Sequence, residues 1–228
     1  ADLVTSHDMS GTILGHYRIV EKIGAGGMGD VYRGERADGE YDQQVAIKLM
    51  HGGAQSEQMI ERFRAERQIL AQLSHPNVAQ LIDGGVSEQG QPYFVMEYVD
   101  GLPLDQFCDE NALPIEERLN LFGDVCRAVS YAHANLVVHR DLKPSNILVK
   151  ESGQVKLLDF GIARVMSEEE NHAKLTRTGL SVMTPSYASP EQALGQPITT
   201  ATDVYSLGVN LYELMSGCRP YNVDSTNP

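Results

Sequence analysis

From Tyr17 onward apolar and polar residues alternate, with Tyr17, Ile19, Glu21 and Ile23 on one parity. After a run of glycines the alternation resumes at Val31 and Arg33 around Tyr32. A period of two is the mark of a strand, because successive side chains leave opposite faces of the backbone. The pattern predicts a β-hairpin closed by Gly24-Ala25-Gly26-Gly27-Met28-Gly29. A further β-branched run at 45–49 predicts a third strand. Over 56–73 the spacing becomes helical, with Ile60, Phe63, Leu70 and Leu73 on one face and Glu66 at its border. His75-Pro76-Asn77 stops that helix. Strands are predicted around 78–82 and 93–98, parted by a turn at 88–91.

After Asp100-Gly101 the character changes. Ile115, Leu119, Phe122, Cys126 and Val129 mark a long amphipathic helix, and short strands are predicted at 147–149 and 155–158. A second long helix spans 203–216, apolar on most sides and therefore expected to be buried. Residues 1–15 read as a flexible lead-in and the polar stretch 166–183 as a mobile loop.

Composition narrows the class. With 228 residues, 42% hydrophobic and 21% charged, the chain suits a soluble protein of one large domain or two small lobes. The formal net charge of −13 disfavours nucleic acid and anionic membranes as partners of the bulk surface. An anionic ligand therefore needs a local cluster of cations and backbone N–H groups. Cys108, Cys126 and Cys218 are far apart and form no C-x-x-C pair, so they read as reduced thiols of a cytoplasmic protein. No uncharged apolar run reaches membrane-spanning length. Neither end carries an obvious start or stop signal, so the chain reads as a fragment, and any membrane anchor would lie outside it.

Candidate chemistry is concentrated in His139-Arg140-Asp141-Leu142-Lys143-Pro144-Ser145-Asn146, followed by Asp159-Phe160-Gly161. A lone G-x-G-x-x-G should arise about 0.2 times by chance in such a chain and is weak. His-Arg-Asp with Asn five residues on should arise on the order of 0.001 times and is strong. The set supplies an acceptor (Asp141), a cation (Lys143) and two hard oxygen ligands suited to Mg²⁺ (Asn146, Asp159). That is the inventory of phosphoryl transfer, which asks a protein mainly to align oxygens and neutralise charge.

The glycine loop lies between two strands, unlike a Rossmann loop, and lacks the Walker Lys-Ser/Thr. Its plainer reading is an ordinary hairpin. Lys48 reads as the partner of Glu66, an ion pair that aims the ammonium at phosphates; its plainer reading is a solvated strand lysine. Asp141, Asn146 and Asp159 would otherwise be cap or turn formers. His139 reads as a packed structural histidine. Arg140 and Arg164 could form a cationic pocket for a phosphate on Thr176 or Thr178, which stand beside Lys174 and Arg177.

On these motifs, residues from about 16 to 221 resemble the eukaryotic-like protein kinases. The resemblance implies an α+β, bilobal fold: a small antiparallel β-sheet lobe with one helix over 16–97 and a mainly helical lobe over 98–228. It implies that Ile23, Gly24, Gly26, Gly29 and Val31 cover a nucleotide. Met96, Glu97 and Val99 match the hinge region that holds adenine, with Ala46 and Leu148 around the ring. Lys48 and Glu66 match the lysine–glutamate pair, Asp141 and Lys143 the catalytic loop, Asn146 and Asp159 the metal ligands. ATP and Mg²⁺ are the implied cofactors, protein serines and threonines the implied substrates, and a homodimer the implied arrangement for trans-autophosphorylation.

Lys143 and Thr184 look like the serine/threonine class, and Met-Glu-Tyr-Val-Asp-Gly and Ser-Pro-Glu-Gln-Ala like the bacterial branch. Asp203 matches a buried aspartate that braces the catalytic loop. The sequence departs from the pattern at Ser189, where Ala is commoner, and at Met183, where Gly is usual. The family's later helices, with an arginine that pairs with the position of Glu191, are not in the chain. A pseudokinase would be expected to lack Lys48, Asp141 or Asp159, and all three are present. A small-molecule kinase is disfavoured by residues 184–191, which look like a protein-substrate platform.

Overall fold

The computed structural model describes residues 9–27, 29–51, 57–160 and 185–221. Chain contacts divide it into two units, Ala1–Ala71 with Leu81–Tyr98 and Gln72–Gln80 with Val99–Pro228.

The first unit is built on a six-stranded antiparallel sheet in the order β1-β2-β3-β4-β6-β5. The strands are β1 (Ile13–Leu14), β2 (Tyr17–Gly26), β3 (Gly29–Arg36), β4 (Gln44–Met50), β5 (Leu81–Val86) and β6 (Pro92–Glu97). Every other residue of β4 (Val45, Ile47, Leu49) enters a core with Leu14, Tyr17, Ile19, Tyr32, Tyr93 and Val95. The opposite face carries Ala46 and Lys48. Register pairs Lys48 with Val31 and Phe94, Ala46 with Met96, and Gly24 with Val31, so these residues share that face. Helix α1 (Glu57–Leu70) docks there through Phe63, whose ring centroid lies 4.6 Å from that of Phe94. Arg67 also donates to the Gly84 carbonyl, tying α1 to β5.

Two expectations are corrected in this unit. Part of the lead-in, from residue 9, is ordered: Ile13–Leu14 pairs with β2, the Gly11 N–H donates to the Ile19 carbonyl at 2.8 Å, and Leu14 is buried. A two-residue strand is too short to show alternation. The strand expected at 78–82 starts instead at Leu81, and its Gly84-Gly85 pair offers no apolar rhythm.

The second unit holds α2 (Leu104–Glu110), α3 (Ile115–Ala134), α4 (Pro190–Ala193) and α5 (Thr200–Ser216). Its small antiparallel sheet runs β7 (Leu102–Pro103), β8 (Ile147–Val149), β9 (Val155–Leu157). Residues 77–79 lie along β9, with Leu157 N–H donating to Asn77 and Ala79 N–H to Leu157 at 2.8 and 2.9 Å. Helix α3 forms as the spacing predicts, but its buried face is Phe122, Val125, Ala128, Val129 and Ala132. Ile115, Leu119 and Cys126, assigned to that face from spacing, are exposed. α2 was not foreseen, since seven residues carry too few repeats to reveal a period.

The largest correction concerns α5. Its buried stripe is Thr202, Asp203, Ser206, Val209, Asn210 and Leu214, while Val204 and Tyr212 face outward. The stripe is polar because it meets backbone as well as side chains. Ser206 Oγ donates to the Tyr187 carbonyl at 2.9 Å, and Asn210 Nδ2 to the Leu142 carbonyl at 3.1 Å. Thr199 caps the helix by accepting from the Ala201 N–H at 3.3 Å, and Gly217 ends it at φ 72°.

Candidate active site

Asp141 emerges from a stretch of backbone held from several sides. Arg140, just before it, has φ 69°, and Asp159, across the site, has φ 49°. Left-handed backbone costs a non-glycine residue roughly 1–2 kcal/mol, so tertiary bonds must impose it. Asp203 supplies them. One carboxylate oxygen accepts from the Arg140 N–H at 2.8 Å, and the other from the His139 N–H at 2.7 Å. His133 Nε2 approaches the second oxygen at 2.7 Å. Asp203 is completely buried, and three donors compensate for its lost hydration. Its expected bracing role is thus present as geometry.

His139 is buried as well, and burial pushes its imidazole below the ordinary histidine range despite the nearby Asp203. A carbonyl can only accept, so Nε2 carries the proton it gives to Leu158 at 2.7 Å. Nδ1 is then the acceptor for the Asp141 N–H at 3.3 Å. The ring stacks on Phe160 with centroids 4.8 Å apart. This is the structural histidine the sequence implied.

Three predicted side chains converge on this backbone. Lys143 Nζ lies 2.9 Å from Asp141 Oδ2. Asn146 Nδ2 donates to the Asp141 carbonyl at 2.8 Å and to its Oδ2 at 3.1 Å. Both charged partners are partly exposed, so the ion pair contributes only about 0–1 kcal/mol to stability, and its effect is to orient. The Asn146 carbonyl accepts from the Leu158 N–H at 2.8 Å, which brings the segment after β9, where Asp159 lies, beside Asn146.

The donor set can be tested against a metal. Asn146 uses its amide nitrogen on Asp141, which leaves its amide oxygen as the ligand atom. That oxygen and the Asp159 carboxylate are hard donors of the kind Mg²⁺ takes alongside water and phosphate oxygens. No group of three or more His, Cys, Asp or Glu that could hold a metal occurs among the described residues. The two side chains would suit a Mg²⁺ ion that takes its other ligands from water and phosphate.

In the first unit, Gly24, Val31, Ala46, Lys48 and Met96 lie on one sheet face by register. Glu97 pairs with Val45 and belongs to the other parity, while Ile23 is exposed at an irregularity of β2. Gly26 pairs with Gly29 at the hairpin end. Gly29 is dictated by packing, because a Cβ there would collide with the Leu49 carbonyl. Glu66 lies on α1, one turn beyond Phe63, and its side chain is outside the described residues. Lys48 belongs to the first unit; Asp141, Asn146 and Asp159, with Val99 and Leu148, belong to the second. Arg164, Thr176, Thr178, Met183 and Thr184 lie outside the described residues.

Sequence reasoning missed His133 and Gln192. Gln192 Nε2 donates to the Arg140 carbonyl at 2.8 Å, though it is 52 residues away. The Ser-x-x-Gln spacing of a capping box was the available signal for Gln192.

A family model described as "Protein kinase domain" matches residues 17–228. A probable serine/threonine-protein kinase PknB of Lactococcus lactis is 42% identical over 92% of this chain and 33% of its own length. Serine/threonine-protein kinase PknA of Mycobacterium tuberculosis is 42% identical over 93% of this chain and 49% of its own. The corresponding values for PrkC of Bacillus subtilis are 40%, 93% and 32%. Among solved structures, the PknI kinase domain of M. tuberculosis superposes with a TM-score of 0.71 at 29% identity, covering 93% of this chain and 77% of that one. The chain thus spans between a third and a half of the length of these curated relatives.

Proposed function

Because the chain belongs to the protein kinase family, we propose that it is a serine/threonine kinase transferring the γ-phosphoryl group of ATP to protein hydroxyls with Mg²⁺. The observation that carries this reading is the cluster of Asp141, Lys143 and Asn146 on a backbone pinned by Asp203. Asp141 accepts a hydrogen bond from the incoming Ser or Thr hydroxyl, orients its oxygen and takes its proton. The new O–P bond forms as the bond to the β–γ bridging oxygen breaks, and ADP leaves with that electron pair. Lys143, 2.9 Å from Asp141, neutralises charge on the transferring group. Asn146 and Asp159 would hold Mg²⁺, which supplies charge neutralisation at the phosphate oxygens when bound.

Lys48, oriented by Glu66, would contact the α- and β-phosphates under the hairpin of Gly24, Gly26 and Gly29. By the family resemblance, adenine contacts would come from Ile23, Val31, Ala46, Met96 and Glu97 of the first unit, and Val99 and Leu148 of the second match family positions of the same kind. Arg140 and Arg164 would receive a phosphate placed on Thr176 or Thr178 by a second copy of the chain. The names of the bacterial relatives support protein hydroxyls as substrates.

Mass spectrometry after incubation with Mg-ATP tests the reading. The expected result is phosphate on Thr176 and Thr178, abolished by EDTA and lowered roughly 10²–10⁴-fold in Asp141→Asn. Labelling of purified Asp141→Asn at the parental rate would overturn it.

A further inference from the structure

The peptide unit that enters Asp141 is held on both sides. Its N–H donates to His139 Nδ1 at 3.3 Å, and its carbonyl, that of Arg140, accepts from Gln192 Nε2 at 2.8 Å. Gln192 is 6% exposed and Ser189 is fully buried. The two residues lock each other: the Ser189 N–H donates to Gln192 Oε1 at 3.0 Å, and the Gln192 N–H donates to Ser189 Oγ at 3.3 Å. With its oxygen engaged at residue 189, the Gln192 amide can present only its nitrogen to Arg140. Ser189 is the position where the sequence departs from the commoner alanine, and its hydroxyl closes this capping box.

We propose that Gln192 is a positioning residue that fixes the peptide plane leading into Asp141, and that Ser189 aims it. Asp203 holds the N–H of Arg140, and Gln192 holds its carbonyl, so a residue at φ 69° is clamped from two elements. The Asp203 clamp comes from a long helix. The Gln192 clamp comes from a four-residue helix separated by two residues from the turn Pro185–Tyr187, so displacement of that turn is transmitted to Asp141. The kinetic part of the proposal rests on the kinase reading above; the structural part does not.

The test uses the 228-residue chain with Gln192→Met, which keeps length and removes the donor, and with Ser189→Ala. Hydrogen exchange at the amides of Arg140 and Asp141 should accelerate about tenfold in Gln192→Met, and by a smaller factor in Ser189→Ala, with α3 amides unchanged. In the same variants kcat should fall by about tenfold and by a few-fold, while KM for ATP stays within about twofold. A parental chain that transfers no phosphate defeats the kinase reading, and the exchange arm still decides the proposal. Unchanged exchange at Arg140 and Asp141 in folded Gln192→Met overturns it, as does a retained kcat in an active chain. If Gln192→Met does not fold, Ser189→Ala decides by the same exchange readout.

Discussion

Asp203 gathers His139, Arg140 and His133 around one buried carboxylate. Asp203→Ala leaves the two backbone donors without an acceptor, each costing about 1–3 kcal/mol. Urea unfolding should therefore show a loss of roughly 3 kcal/mol or more. His139 sets a pH dependence of the opposite chemical kind. Its folded value lies below the unfolded 6.5, so the unfolded chain binds the extra proton and stability falls as pH drops below about 6.5. Asp38, beside Arg36, is held down to about 2 from 3.8, so a further loss follows as pH falls through that window. A melting-temperature series from about pH 8 to pH 3 should be flat at the top and decline below the histidine range. The closeness of Asp141, Lys143 and Asn146 was legible in sequence because all three fall within the short loop and turn 141–146. The bond from Gln192 to Arg140 was not, because the Ser-x-x-Gln spacing signals only a helix cap and not a contact 52 residues away.

Among the elements, β3 and β4 approach too closely at Gly29 for any side chain. Gly29→Ala should push the strands apart and destabilise the chain by about 1–3 kcal/mol, read by chemical unfolding. Phe63→Ala removes the ring that seats α1 on Phe94 and should cost about 3–5 kcal/mol in the same assay. Periodicity located α1, α3, α5 and most strands, since each repeats its pattern several times. It gave α5 no polar buried face, expecting burial through apolar residues on most sides, because that face is recognised by hydrogen bonding to backbone rather than by hydrophobicity. It also missed α2 and β1, whose seven and two residues are too few to carry a rhythm.

For the whole molecule, the net charge of −13 governs encounters. If Thr176 and Thr178 are phosphorylated in trans, two like-charged chains must meet, and salt shortens their repulsion. The Debye length falls from about 30 Å at 0.01 M to about 10 Å at 0.1 M salt. The initial rate per molecule should thus rise with protein concentration and, at low protein concentration, rise with salt over that range; a cis reaction would show no concentration dependence.

The sequence by itself determined the family, the order of the longer strands and helices, and the chemical inventory of Asp141, Lys143, Asn146 and Asp159. These are encoded locally, in residue types at short fixed separations. The tertiary structure alone decided the left-handed turn at Arg140, the tautomer of His139, and the hold of Gln192 on the Arg140 carbonyl opposite the expected Asp203 brace. Those features depend on donors and acceptors brought together from distant parts of the chain. Only the packed second unit supplies them at hydrogen-bonding distance.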